Sequence, residues 1–71
     1  MPLVTIRIAR RAEPTTTEQK RRLIEGVTDL VERVLDKRRD SVTVIIDEVD
    51  PDNWGQGGEP VSVARARRPS R

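Results

Sequence analysis

The chain has 71 residues, which allows one small domain whose own core gives only marginal stability. It contains no Cys and no His, which excludes disulfides and argues against a structural zinc site, and its one aromatic residue cannot anchor a large core. Self-association is the remaining source of stability, so we predict an obligate homo-oligomer. No apolar run approaches the roughly 20 residues that span a bilayer, and no signal peptide is visible, so we expect a cytoplasmic protein with no membrane contact.

The first notable residue is Pro2, which directly precedes an alternating apolar segment. An initiator methionine followed by so small a residue is normally removed, and the Pro2 nitrogen then becomes a free secondary amine. The chain has no His, Cys or Tyr, whereas an α-amino group titrates at about 7.7–8.0. Pro2 is therefore the candidate for proton transfer at neutral pH. The alternative is that it simply begins an extended segment.

Residues 3–9 alternate with a period of two, which predicts a half-buried strand. One face carries Val4, Ile6 and Ile8, and the other carries Leu3, Thr5 and Arg7. A loop over residues 13–17 leads to the next element.

A helix of about 20 residues is predicted next. Its start carries two overlapping capping boxes, Thr15 with Glu18 and Thr16 with Gln19. One apolar stripe follows on the helix face, made of Leu23, Ile24, Val27, Leu30, Val31, Val34 and Leu35. The basic segment 37–40 is expected to end the helix, where positive charge is favourable.

A second strand is predicted over residues 42–49, followed by a turn at 50–53 and a glycine-rich hairpin. Residues 61–63 are expected to form a short returning strand. Strand, helix and strand in this order predict a right-handed βαβ unit with its two long strands parallel. We therefore predict a single α+β domain over residues 1–63.

The remaining segment, residues 64–71, holds four of the 14 basic residues and none of the 12 acidic ones. We expect it to be a flexible basic tail. A tail of this kind can bind nucleic acid, but no aromatic residues interleave with the arginines to stack bases, which argues against that partner. The alternative to an enzyme is a non-catalytic oligomeric module whose basic tail binds an acidic partner.

Arg7, Arg10 and Arg11 lie on or just after the first strand. An arginine can hold a small-molecule carboxylate through its planar fork, and a nearby positive charge lowers the pKa of an amine. The alternative for Arg10 and Arg11 is that both are solvated loop charges. Trp54 in the hairpin is either an apolar wall that shields the amine or an anchor at a subunit interface.

Four features occur together in this order. They are Pro2 before a strand, the Glu18–Lys20 helix start, the Val44–Ile46 strand and the hairpin DNWGQGGE at residues 52–59. Together they resemble the 4-oxalocrotonate tautomerase family over about residues 2–62.

The resemblance implies a βαβ subunit that pairs into four-stranded sheets with helices on one face, and a hexamer built as a trimer of dimers. It implies a cofactor-free keto–enol isomerisation of a small unsaturated 2-oxo or 2-hydroxy acid. In that reaction Pro2 would be the general base and Arg10 or Arg11 would bind the carboxylate. Trp54 would take the place of the family's aromatic hairpin residue.

The chain departs from the family at Thr43, where a second active-site arginine is expected. Arg38 or Arg39, just before the strand, could compensate for that loss. Two other enzymatic readings remain open. A Pro2 that stays protonated would act as general acid in hydration or dehalogenation of an unsaturated acid, and an unprotonated Pro2 could attack an aldehyde as a nucleophile.

Overall fold

The computed structural model describes residues 1–67, without the side chain of Arg67. The helices and strands are β1 (Leu3–Ala9), α1 (Thr17–Leu35), β2 (Thr43–Val49), β3 (Gly55–Gln56), β4 (Glu59–Pro60) and α2 (Val61–Arg67). Single 3₁₀ turns at Arg39–Ser41 and Pro51–Asn53 precede and follow β2.

The two long strands, β1 and β2, are parallel and in register from Leu3 opposite Thr43 to Ala9 opposite Val49. Burial alternates along both strands, and the more buried face is the one that α1 covers. The predicted βαβ unit is confirmed, and so is the hairpin of β3 and β4. The hairpin turns through Gly57 and Gly58, both with positive φ, a conformation that glycine adopts without strain.

Helix α1 begins with the second of the two predicted capping boxes. The Thr16 hydroxyl accepts a hydrogen bond from the Gln19 N–H at 3.0 Å, and the Gln19 side chain accepts one from the Thr16 N–H at 2.9 Å. The helix ends at Leu35, before the basic segment that was expected to end it, because Asp36 adopts the left-handed conformation (φ 53°). Aspartate is one of the few residue types that tolerate this conformation.

The prediction of a strand at residues 61–63 is wrong, because these residues begin helix α2. The Val61 N–H donates to the Trp54 carbonyl at 2.7 Å, and the Ser62 hydroxyl donates to Asp52 at 2.5 Å. These two contacts hold the first turn against the segment before the hairpin. The helix runs across the boundary predicted after residue 63, and the rest of the predicted tail, residues 68–71, lies outside the described residues.

The described residues include no fully buried apolar side chain. Leu3 is 61% exposed and Ile45 is 48% exposed, both on the sheet face that α1 does not cover. Much of the predicted α1 stripe is exposed as well, at Leu23, Ile24, Leu30, Val34 and Leu35. Within residues 1–67, no helix is both long and apolar enough to cross a membrane.

Candidate active site

Pro2 lies at the start of the parallel pair and is half-buried. Its carbonyl accepts a hydrogen bond from the Thr43 N–H at 3.0 Å, so the two residues are neighbours at the same end of the sheet. Thr43 is exposed and brings a neutral hydroxyl to the position where the resemblance expects a cation.

The two arginines that could compensate for that cation are engaged elsewhere. Arg38 pairs with Asp40 at 3.2 Å. Arg39 bonds to Asp29 at 2.5 Å and to Glu32 at 3.1 Å, and its hydrogen bond with Asp29 is the main cause of a raised guanidinium pKa. The contacts of Arg39 tie the 3₁₀ turn to α1, whereas the Arg38–Asp40 pair stays at the exposed surface.

An open depression of about 290 Å³ lies toward the other end of the sheet. It is lined by Arg7, Val49, Asn53, Trp54 and Gly55. The backbone of Trp54 is fixed on both sides, because its N–H donates to the Pro51 carbonyl at 3.4 Å and its carbonyl accepts from Val61 at 2.7 Å. An aromatic wall beside a guanidinium suits a small anion with an apolar tail.

Arg10 lies just beyond β1, where its N–H donates to the Val49 carbonyl at 2.8 Å. Its guanidinium pairs with Asp50 at 3.3 Å. Arg65 of α2 donates to the Arg10 carbonyl at 2.8 Å and holds this segment in place. Arg11 follows and is exposed. Both predicted carboxylate ligands are thus at the Trp54 end of the sheet, but neither is among the residues that line the depression.

One chain does not bring all the predicted site residues together. Arg7 lies five positions after Pro2, a distance of about 17 Å at roughly 3.3 Å per residue of extended strand. The burial pattern also places Arg7 on the exposed face of β1. Pro2 is half-buried and continues the alternation of the residues on the face that α1 covers. The amine and the Trp54 depression therefore lie at different ends and on different faces of the same subunit.

Sequence reasoning named Arg7 together with Arg10 and Arg11 as a possible carboxylate ligand, but it did not show that Arg7 lines the Trp54 depression. It missed Asn53 and Arg65 as residues of the Trp54 end. Arg65 was assigned to a tail, and only the path of α2 reveals that its side chain reaches back to the end of β1.

The fold and the site define a small βαβ protein with a proline before its first strand and an aromatic hairpin residue near a cluster of arginines. The sequence profile of a family described as "Tautomerase enzyme" matches residues 2–64. The chain therefore belongs to the tautomerase family of enzymes.

Individual relatives agree with this assignment. The chain is 48% identical over 67 residues to a "probable tautomerase" of Helicobacter pylori, with 94% of this chain and 98% of the relative covered. It also resembles the crystal structure of DmpI from Helicobacter pylori, with a TM-score of 0.86, 46% identity and coverage of 94% and 100%. A heterohexameric 4-oxalocrotonate tautomerase from Chloroflexus aurantiacus aligns with a TM-score of 0.78 and 31% identity, covering 92% of this chain and all of that one.

Proposed function

We propose that this tautomerase moves a proton between oxygen and carbon in a small unsaturated 2-oxo or 2-hydroxy acid, with the Pro2 amine as general base. The observation that carries the proposal is the position of Pro2, half-buried and immediately before β1. Removal of Met1 converts its nitrogen from an amide into an amine. The sequence contains no His, Cys or Tyr, and an α-amino group titrates near 7.7–8.0, close to working pH.

The reaction needs only one base and one anchor for the substrate. The amine takes the hydroxyl proton of the dienol acid and returns it to a carbon at the far end of the conjugated system, so atoms and charge balance without a cofactor. An arginine at the Trp54 end holds the carboxylate, for which Arg10 and Arg11 are the candidates that the family resemblance implies. Trp54 forms the apolar wall that shields the reacting atoms from water.

The site in this proposal is shared between copies of the chain in a homo-oligomer, a hexamer built as a trimer of dimers. Two observations support sharing. The amine and Trp54 lie at different ends of one subunit, and the described residues leave Leu3 and Ile45 exposed on an open sheet face. The hexameric relative from Chloroflexus aurantiacus has the same subunit fold.

The test compares the purified protein with Pro2→Ala in the tautomerisation of phenylenolpyruvate. Intact-mass measurement first establishes that Met1 has been removed from both proteins. Pro2→Ala replaces the ring-held secondary amine by a freely rotating primary amine, and we expect it to lower kcat/KM by up to about 10²- to 10⁴-fold, the usual contribution of a positioned general base. Equal rates for the two proteins would show that the ring nitrogen of Pro2 is not required as the base.

A further inference from the structure

We propose that Arg7 is a substrate-binding residue that holds the carboxylate in the Trp54 depression. This inference rests on the proposed function and assigns its anion site to a residue outside the pair implied by the family resemblance. Arg7 lines the depression together with Trp54 and Asn53, whereas Arg10 and Arg11 do not.

The guanidinium of Arg7 is also less closely paired than that of Arg10. Its contact with Asp47 is 3.8 Å long, beyond the usual 2.7–3.2 Å of a hydrogen bond, and the two side chains are 69% and 53% exposed. An ion pair of this kind contributes little, so an incoming carboxylate displaces Asp47 at small cost. Arg10 has a closer partner, because its guanidinium lies 3.3 Å from the Asp50 carboxylate and the two side chains are 45% and 47% exposed.

The lining of the depression defines the class of ligand. A guanidinium fork binds one carboxylate in two parallel hydrogen bonds, and the indole of Trp54 offers apolar surface for a short unsaturated tail. The volume of about 290 Å³ is near the lower limit for small-molecule sites, which fits an acid of a few carbons. Taken with the proposed reaction, these features indicate a small unsaturated monocarboxylate.

Trp54 is the only aromatic residue in the chain, so tryptophan fluorescence reports on this depression directly. Titration with crotonate, an unsaturated monocarboxylate, measures binding without turnover. We expect Arg7→Gln to raise the Kd for crotonate about 10- to 100-fold, the effect of losing a hydrogen bond between charged groups. Arg7→Lys restores part of the affinity. The matched control Arg33→Gln removes the same charge from the exposed end of α1 and leaves the Kd unchanged.

Asp47→Asn separates a binding role of Arg7 from a structural role of the Arg7–Asp47 pair. If Arg7 binds the ligand, removing the competing carboxylate lowers the Kd for crotonate. If the pair only stabilises the sheet, Arg7→Gln and Asp47→Asn weaken binding alike, and that result overturns the inference. Unchanged binding in Arg7→Gln overturns it too. Neither result depends on turnover, so the Pro2→Ala comparison tests the general base separately.

Discussion

The amine proposed for proton transfer lies beside Thr43, a residue without charge. A cation at that position would disfavour the protonated amine and would also attract a second negative charge on the substrate. In the proposed site, the absence of a cation here favours substrates with a single carboxylate, which the Trp54 end of a neighbouring copy would hold.

Thr43→Arg tests this preference. We expect the variant to lower the KM for the dicarboxylate 2-hydroxymuconate by about tenfold, the effect of one new charge-assisted hydrogen bond, and to leave the KM for phenylenolpyruvate nearly unchanged. Thr43→Gln adds a long neutral side chain as the control for size. An equal change with both acids would show that the charge at this position does not select the substrate.

At the residue scale, the sequence shows which residues carry distinctive chemical groups, but it does not show which side chains lie next to them. Trp54 is distinctive because it is the only aromatic residue in the sequence. Pro2 is distinctive because, of the five prolines, it alone would carry a free secondary amine once Met1 is removed. The choice among Arg7, Arg10 and Arg11 depends on which of them lines the Trp54 depression and on how closely a carboxylate pairs with it. That information lies in Asp47 and Asp50, about 40 positions away in the sequence, and only the register of the two strands brings them alongside.

At the scale of elements, Glu48 attaches the start of α1 to the sheet. Its carboxylate accepts a hydrogen bond from Lys20 at 2.8 Å and another from the Thr15 N–H at 3.1 Å. These bonds, that of Lys20 first, lower the pKa of Glu48 below its usual range. The folded state therefore favours the ionised form of Glu48 more than the unfolded chain does.

The pKa of Glu48 predicts how stability depends on pH. Because the folded pKa is the lower one, this contribution is fully present above the unfolded value of about 4.3 and is lost as pH falls through the folded pKa. We expect Glu48→Gln to lower the urea midpoint at pH 7, and the difference from wild type to shrink as pH falls below about 4. Glu25→Gln, an exposed site on α1, is the matched control. A difference that is the same at pH 3 and pH 7 would contradict the role of Glu48.

The elements themselves were largely predictable. The alternation over residues 3–9 gave the bounds of β1, and the capping residues gave the start of α1, because both signals are local. The strand prediction for residues 61–63 was wrong because two valines in three residues favour a strand, and the run is too short for periodicity to distinguish strand from helix. Contacts of Val61 and Ser62 with residues of the preceding loop stabilise the helix, and these contacts are tertiary.

At the scale of the whole molecule, one subunit is incomplete in two ways. The described residues bury no apolar side chain fully, and Pro2 lies far from the Trp54 depression. The proposed association of copies would correct both, because it would cover the open face at Leu3 and Ile45 and could bring the amine of one copy to the depression of another. Composition predicted the need for association, but the separation of the site residues became visible only once the strand directions were known.

A mixing experiment tests whether the site is shared. Pro2→Ala and Arg7→Gln are each expected to be weakly active alone, since the first lacks the ring-held amine and the second lacks the proposed anion site. If each site takes its amine from one copy and its guanidinium from another, unfolding the two variants together and refolding them at equal concentrations creates hybrid oligomers. Random assembly then gives about a quarter of the sites both wild-type residues, and activity returns to about a quarter of the wild-type value.

Wild-type protein carried through the same refolding is the control for recovery. If the mixture shows only the mean of the two separate variants, amine and guanidinium belong to the same subunit, and the shared site is wrong.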